Sequence, residues 1–262
     1  MSDHDQFGNR MKSYESIETS RKFDPTLPVY ARIDGRRFSK FTRKMERPFD
    51  QRMTNAMIGT TKYLVDKTHA AIGYTSSDEI SLAWDGGKHF FDSKIQKACS
   101  VLASMAAARF AIEYFINFGE HTSECPHFDC RVIQLPNYTE TANMFLWREL
   151  DAQKNSISMA ARHFFSHKAL QNKSGLQMKE MMTTLGVDIN QYPASFRKGT
   201  WLQRVSENRT MTSLELSNIP EKYRPDAGTI ITRSSIKELD MPNFVEVKNR
   251  EKVIFENATP EI

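Results

Sequence analysis

The apolar and polar positions of the first half of this chain fall into blocks that predict four strands and two helices. Short runs with alternating or continuous apolar residues predict the strands, and apolar stripes of helical period predict the helices. The predicted strands cover residues 28–33, 70–74, 80–84 and 128–135, and the helices cover residues 50–69 and 92–117. Asp50 is the candidate N-cap of the first helix, and Gly86-Gly87 ends the hairpin between the second and third strands. This order is the split β-α-β arrangement of ferredoxin-like domains, so we predict an α+β fold with a ferredoxin-like first part.

The second half of the chain is predicted to be a mainly helical C-terminal extension. Its apolar stripes predict helices over residues 138–150 and 153–167, with a break near Asp151, and over residues 176–185. A strand over residues 200–205 and a tail of short strands and loops, broken by prolines, follow. We place a domain boundary after residue 136. Residues 1–136 then form the ferredoxin-like domain with an N-terminal extension, helical near residues 11–20, and residues 137–262 form the mainly helical C-terminal part.

Acidic residues stand at two points that this topology brings together. The first strand stops at Asp34-Gly35, and Ser77, Asp78 and Glu79 form the tip of the predicted hairpin. Each motif alone is typical of a turn. An unpaired buried carboxylate is costly, however, so the adjacent acids must face water, a cation or a ligand. Because the first and third strands are neighbours in a split β-α-β sheet, we predict that Asp34 and Asp78 meet.

Two carboxylates at one end of a sheet suit a metal-dependent phosphoryl-transfer site. Mg²⁺ prefers carboxylate and carbonyl oxygens. Two metal ions ~3.5–4 Å apart can stabilise the attacking and the leaving oxygen of an in-line displacement. We predict Asp34, the Gly35 carbonyl and Asp78 as ligands, with Glu79 as a further ligand or an outer acid. Gly35 also lets a ligand approach the backbone closely.

A basic stretch with interleaved aromatic residues follows Gly35. It contains Arg36, Arg37, Phe38, Lys40, Phe41, Arg43, Lys44, Arg47 and Phe49. Arginine makes bidentate contacts to phosphate oxygens, so the stretch is predicted to bind a triphosphate. The alternative is a solvated loop. The aromatic residues argue against it, because in such a loop they would have no partners. We expect some of them to pack in the core or to stack on a base. Lys94 and Lys97 share a face of the second helix and either reach phosphate or are exposed.

Composition and charge limit the classes of protein to which this chain can belong, but they do not select one class. Apolar residues make up 39% and charged residues 26% of the 262 residues, as in ordinary globular proteins. A formal charge of +4 permits nucleic-acid binding without demanding it. Because no apolar run is judged long enough to cross a bilayer, we expect a cytoplasmic protein without a membrane partner. Three cysteines without a signal peptide argue against a disulfide framework, and Cys125-Pro-His-Phe-Asp-Cys130 lacks the spacing of a zinc site.

Six motifs, in order and spacing, resemble those of the tRNA-His guanylyltransferase family, which includes the guanylyltransferase-like 3′–5′ polymerases. The motifs lie at residues 32–41, 47–50, 73–81, 128–132, 147–151 and 196–200. The resemblance covers most of residues 28–205. It implies a palm-like catalytic domain and the addition of nucleotides to RNA 5′ ends. In this family ATP or GTP first activates a 5′-monophosphate, and the 3′-hydroxyl of an incoming nucleoside triphosphate then attacks the activated phosphate.

The resemblance also implies roles for individual residues. Asp34, the Gly35 carbonyl and Asp78 resemble the ligands of two Mg²⁺ ions, and Asp34, Asp78 and Glu79 the catalytic acids. The implied nucleotide-binding residues, for GTP or ATP, are Asp34, Gly35, Arg36, Arg37, Phe38, Ser39, Arg47, Asp50, Ser77 and Asp78, with Lys94 and Lys97 on a second triphosphate. The implied RNA-binding residues are Arg131, Asn155, Arg197 and Lys198.

One motif departs from the eukaryotic tRNA-His enzymes. After Trp147-Arg-Glu-Leu-Asp151 those enzymes carry His-Ile-Asn-Asn, whereas this chain has Gln153-Lys-Asn-Ser156, in which only Asn155 matches. The departure favours the branch that resembles template-dependent 5′-end repair enzymes acting on tRNA. The resemblance further implies a homotetramer.

Two other functions remain open on the sequence. A palm-type nucleotide cyclase or signalling enzyme would share the carboxylates but need no RNA. A non-catalytic RNA-binding module is the third interpretation. The acids Asp34, Asp78 and Glu79 argue against that module, since binding RNA alone needs no carboxylates facing phosphate.

Overall fold

A computed structural model of the chain describes residues 3–86, 90–226 and 228–262. Within these residues a six-stranded sheet forms the centre of the molecule. Its strands are β1 (Val29–Gly35), β2 (Ile72–Ser76), β3 (Glu79–Trp84), β4 (Phe128–Gln134), β5 (Thr200–Thr210) and β6 (Ile230–Leu239). They lie in the order β4-β1-β3-β2-β5-β6, and neighbours are antiparallel. The α+β, ferredoxin-like prediction is therefore confirmed, with β1 beside β3. Gly87, predicted to end the hairpin with Gly86, lies outside the described residues.

The helices flank this sheet. They are α1 (Asp3–Thr19), α2 (Phe38–Phe41), α3 (Gln51–Thr68), α4 (Ile95–Phe118), α5 (Tyr138–Phe164), α6 (His167–Leu170), α7 (Gly175–Thr183), α8 (Ala194–Lys198), α9 (Ser213–Ser217) and α10 (Arg250–Glu256). Short 3₁₀ segments cover Thr42–Lys44, Phe90–Ser93, Ile189–Gln191 and Glu221–Tyr223.

The predicted break near Asp151 is wrong, because α5 is continuous. Its sequence contains neither proline nor glycine. The Asp151 carboxylate, which could compete with the helix backbone, instead accepts hydrogen bonds from Arg148 and Asn155. One helix of 27 residues therefore extends from the apolar cluster around Phe145 to the cluster around Ala160.

The two faces of the sheet bury different clusters. Successive residues of a strand point to opposite faces, so Val29, Ala31 and Ile33 of β1 pack with residues of α3 and α4. Tyr30 faces the other way and meets Phe145 of α5 edge-on, with ring centroids 5.2 Å apart. The result is three layers, α3 and α4, then the sheet, then α5 and α10, and the second interface holds the site described below.

Among the helices that the structure describes, α4 is long and apolar enough to cross a membrane by length and composition. This corrects the expectation that no apolar run has that length. In this fold α4 packs on α3 and β4, and Leu102, Ala106 and Phe110 are fully buried. A helix of the core passes the same test, so the absence of a membrane partner and the cytoplasmic location stay predictions.

The second half of the chain extends the sheet instead of forming only helices. β5 pairs with β2 over residues 200–203, and all of β6 pairs with residues 201–210 of β5. The tail predicted as short strands and loops thus contains a ten-residue strand. The division at residue 136 stays a prediction, but the sheet crosses it.

Candidate active site

The end of β1 and the β2–β3 hairpin bring the predicted acids to one place. Asp34 lies opposite Glu79 in the β1–β3 register. The hairpin leaves Ser77 and Asp78 as a two-residue turn, with Ser77 in the left-handed region at φ 54°. The backbone N–H of Gly35 donates to the carbonyl oxygen of Asp78 at 3.0 Å. This bond ties the end of β1 to the tip of the hairpin.

The two aspartates influence each other's charge. Burial, together with the nearby Asp34 carboxylate, raises the pKa of Asp78 to about 6. Burial also raises the pKa of Asp34, and the Asp129 carboxylate adds to this effect. In both cases the protein holds a carboxylate where its negative charge is disfavoured. A bound cation would remove that penalty, since it stabilises the charged form of both groups.

The donor set fits Mg²⁺. Asp34 and Asp78 both line one cavity, so their side chains lie on the same side of the sheet. Among the described residues there is no group of three or more His, Cys, Asp or Glu side chains able to hold a metal ion. The side chains therefore supply a pair of carboxylates. Mg²⁺ is commonly bound by one or two carboxylates, with waters and substrate phosphates as the other ligands.

Glu79, by contrast, is held by arginines. Arg148 Nε donates to Glu79 Oε1 at 2.6 Å, and Arg32 Nε lies 3.8 Å from Glu79 Oε2. A second nitrogen of Arg148 donates to Asp151 at 3.0 Å. Burial raises the pKa of Glu79, and the bond from Arg148 opposes the shift. Glu79 thus links the hairpin to α5, while Asp34 and Asp78 have no ion-pair partner among the described residues.

A cavity of about 870 Å³ opens over the acids. Its size lies near the upper end of the ~300–1,000 Å³ usual for small-molecule sites. Its wall includes these residues predicted for the site: Asp34, Phe38, Ser39, Arg47, Asp50, Ser77, Asp78, Glu79 and Asn155. Residues of β1, the hairpin, the basic stretch and α5 therefore face a common space.

Phe38 and Asp50 have structural partners within this wall. Phe38 is 3% exposed and packs on Phe110 and Phe128, with ring centroids 5.3 and 5.0 Å away, so its ring anchors the basic stretch to the core. Asp50 is the N-cap of α3, as predicted, and accepts hydrogen bonds from the backbone and side chain of Arg52. These bonds hold the pKa of Asp50 below its usual value.

The other predicted residues do not line the wall of this cavity. Arg36 and Arg37 are exposed beside Gly35. Lys94 precedes α4, and Lys97 forms an ion pair with Asp92 at 2.7 Å.

The predicted RNA-binding cations also lie elsewhere. Arg131 lies on β4 in register with Arg32. Arg197 and Lys198 line a second cavity of about 200 Å³ and donate to the carbonyl oxygens of Tyr192 and Met241, at 2.8 and 2.6 Å. The structure therefore does not bring these three cations to the cavity that holds the acids.

Four cations of the cavity wall were not predicted. They are Arg32, Arg148, Lys154 and Arg162. The last three belong to α5, whose polar residues recur every three or four positions from Arg148 to Arg162. That periodicity marks a polar helix face, but only the position of α5 on the sheet shows that the face lines a site.

Comparisons with known proteins show which family and which solved structures the chain is similar to. A family model described as tRNA-His guanylyltransferase matches residues 8–136. A solved bacterial tRNA(His) guanylyltransferase-like protein in complex with ATP is 31% identical, with a TM-score of 0.75, over 95% of this chain and 99% of that one. A structure of such a bacterial protein in complex with GTP is 29% identical, with a TM-score of 0.71, over 95% and 97%. The tRNA(His) guanylyltransferase of Schizosaccharomyces pombe is 24% identical over 72% of this chain and 80% of its own length.

Proposed function

The chain belongs to the tRNA(His) guanylyltransferase family and is a nucleotidyltransferase, and from this premise we propose that it adds nucleotides to the 5′ end of tRNA by phosphoryl transfer at Asp34 and Asp78. The observation that carries the proposal is the pair of aspartates, tied together through Gly35, at the wall of one cavity. The ATP and GTP complexes of the similar bacterial proteins support nucleoside triphosphates as substrates.

The residues of the cavity have different roles in the proposed reaction. Asp34 and Asp78 would hold Mg²⁺, with the Gly35 carbonyl as a further ligand. When bound, Mg²⁺ supplies positive charge that neutralises the triphosphate oxygens and the charge developed in an in-line displacement. Arg47 lines the cavity and would bind phosphate oxygens of the nucleotide. The arginine-held Glu79 keeps the hairpin tip in place against α5.

The substitution Asp78→Asn tests the metal site. We expect nucleotide incorporation to fall by about 10³-fold or more, since charge stabilisation by a metal is worth several kcal/mol. We expect Mg²⁺ to raise the melting temperature of the wild type but not that of the variant. Without Mg²⁺ the variant should melt no lower than the wild type, because it loses a disfavoured buried charge.

Asp66→Asn is the matched control, because Asp66 pairs with Arg204 away from the cavity. It should keep both the activity and the stabilisation by Mg²⁺. Full incorporation by the Asp78→Asn enzyme in Mg²⁺ would refute the site assignment.

We further propose that addition is template-dependent and repairs 5′ ends. The departure of residues 153–156 from the eukaryotic motif supports this. The test is labelled GTP incorporation into 5′-truncated tRNAs, with and without a pairing nucleotide opposite the added position. Incorporation only where a pairing nucleotide is present supports templated repair, and equal incorporation in both substrates contradicts it. Nucleotide alone, without RNA, should give no cyclic product.

Self-association into a tetramer is also a proposal. Apolar residues are exposed at helical spacing on α1, and a second exposed apolar group lies near the end of α4. They are Phe7, Met11, Tyr14 and Ile17 on α1, and Ile112, Phe115 and Ile116 on α4. Surfaces of this kind favour association. Light scattering at several protein concentrations would measure the mass, and a monomer throughout would contradict the proposal.

A further inference from the structure

We propose that Lys154 and Arg162 of α5 form a binding track for the phosphate backbone of the RNA substrate. This inference rests on the proposed function and extends it, since it assigns a wall of the cavity to the RNA strand. The RNA contacts predicted from the sequence, apart from Asn155, lie outside this cavity, so the strand needs another route to the acids.

The first observation is the position of the two cations. Lys154, Ser158 and Arg162 follow one another at four-residue spacing on α5, and all three line the cavity that holds Asp34 and Asp78. Eight residues of helix separate the two cations by about 12 Å along the axis. At the ~3.4 Å rise of a stacked strand, that distance spans about three phosphates.

The second observation is that these charges are not used within the protein. Arg148, the other cation on this face, pairs with Glu79 and Asp151. Lys154 and Arg162 are exposed, and no described residue forms a salt bridge with either. Beyond Arg148 the α5 wall therefore carries an uncompensated positive charge, in a cavity whose other end holds acids.

The third observation is the length of the α5 wall, which favours an RNA strand over a single nucleotide as the ligand. Arg162 lies about 21 Å along α5 from Arg148, the residue that touches the catalytic hairpin. A single triphosphate bound at Asp34 and Asp78 has Arg47 nearby and does not need cations at that distance. A strand entering with its 5′ end at the acids needs them, because backbone phosphates require positive charge along the path.

The experiment compares RNA and nucleotide binding of the double variant K154A/R162A. A fluorescent 5′-truncated tRNA is titrated by anisotropy at several salt concentrations, and GTP binding is measured separately. We expect RNA affinity to fall about tenfold or more near physiological salt. The slope of log K against log salt should decrease by about 1.4–1.8, since each of the two lost phosphate contacts removes about 0.7–0.9. GTP affinity and melting temperature should stay within error of the wild type.

Two further variants separate the track from general charge loss. K168A/K173A removes two exposed cations from the same helical region but outside the cavity, and should keep RNA affinity. K154R/R162K keeps both charges in place and should keep the salt slope.

The outcomes distinguish this inference from the proposed function. Unchanged RNA affinity and salt slope in K154A/R162A, with an active wild type, would overturn the track alone. A fall in GTP affinity as large as the fall in RNA affinity would also overturn it, since the cations would then bind the nucleotide. A wild type that binds tRNA through these residues but incorporates no nucleotide would refute the proposed function and leave the track standing.

Discussion

Glu79 is the acid of the hairpin tip that two guanidinium groups engage. Arg148 and Arg32 approach its two carboxylate oxygens. Among the described side-chain hydrogen bonds, the Asp78 carboxylate accepts one, from the Ser77 hydroxyl at 3.1 Å. A carboxylate in a partly buried ion pair holds its position, because separating the pair leaves an uncompensated charge. Asp78 therefore stays available to a cation, while Glu79 fixes the hairpin that carries it.

The substitution Arg148→Lys tests this positioning role. Lysine is a single-point charge and cannot reproduce the fork that reaches both Glu79 and Asp151. We expect kcat for incorporation to fall at least about tenfold, with little change in KM for GTP, because a misplaced group disturbs alignment more than binding. Steady-state kinetics with varied GTP measures the two constants.

Arg204→Lys is the control for this variant. Arg204 also uses two nitrogens, one on the carbonyl oxygen and the carboxylate of Asp66 and the other on the Ser234 hydroxyl, but it lies outside the cavity. Its replacement should leave kcat unchanged. Wild-type kcat in the Arg148→Lys enzyme would show that the hairpin needs no support from α5.

The pairing of Asp34 with Asp78 could be predicted because it follows from strand order, and strand order follows from local periodicity. The arginines of Glu79 could not be predicted in this way. Arg148 lies 69 positions from Glu79 in the chain, and the contact exists only because α5 lies across the sheet at one register. No local pattern carries that information.

At the scale of elements, α5 is joined to the sheet by a buried carboxylate. Glu149 is 1% exposed and accepts hydrogen bonds from the indole N–H of Trp201 at 3.0 Å, the backbone N–H of Phe244 at 2.7 Å and the side chain of Gln153 at 3.1 Å. Burial raises its pKa, and these donors oppose the shift. Helix α5, strand β5 and the segment after β6 thus meet at one side chain.

The substitution Glu149→Gln should destabilise the protein. Glutamine has one acceptor oxygen, so its amide N–H₂ must face one of the N–H donors that now reach the second carboxylate oxygen. We expect a loss of about 1–3 kcal/mol in the free energy of unfolding, the cost of leaving a buried polar group unsatisfied. Urea denaturation at neutral pH, followed by tryptophan fluorescence, measures it.

The exposed Glu140→Gln serves as its control and should change the stability by less than about 0.5 kcal/mol. A Glu149→Gln protein as stable as the wild type would mean that the three donors find other acceptors.

The elements themselves were predictable to different degrees. The strand and helix order of residues 28–135 follows from strong apolar periods, and the cap at Asp50 marks the start of α3. β6 gave no such signal, because its side chains are mostly exposed and no apolar alternation identifies a buried face. Its pairing with β5 depends on contacts across the chain rather than on its own pattern.

At the scale of the whole molecule, the sheet is shared between the two halves of the chain. β5 covers the edge of β2, and Phe145 and Trp201 pack against Tyr30 and Tyr74 on the face that α5 covers. The halves therefore depend on each other for hydrogen bonds as well as for apolar burial.

A fragment of residues 1–136 tests the division at that residue. Without the second half, β2 becomes an unprotected edge strand and one face of the sheet is exposed to water. We expect the fragment to aggregate or to lack cooperative unfolding, whereas the full chain melts in one transition; solubility, circular dichroism and calorimetry distinguish these results. A soluble, cooperatively folded fragment would support two separate domains.

The two-stranded ribbon of β5 and β6 extends beyond β2, and this determines which part of the molecule unfolds locally first. Within the described part of the chain, residues 206–210 pair only with residues 230–234, and their side chains are exposed. An isolated two-stranded ribbon is marginally stable in water, so this tip can open while the central strands stay closed. In deuterium oxide its amide hydrogens should be replaced well before those of β1 and β3, and the chain can therefore fluctuate at this end without disturbing the acids at the other.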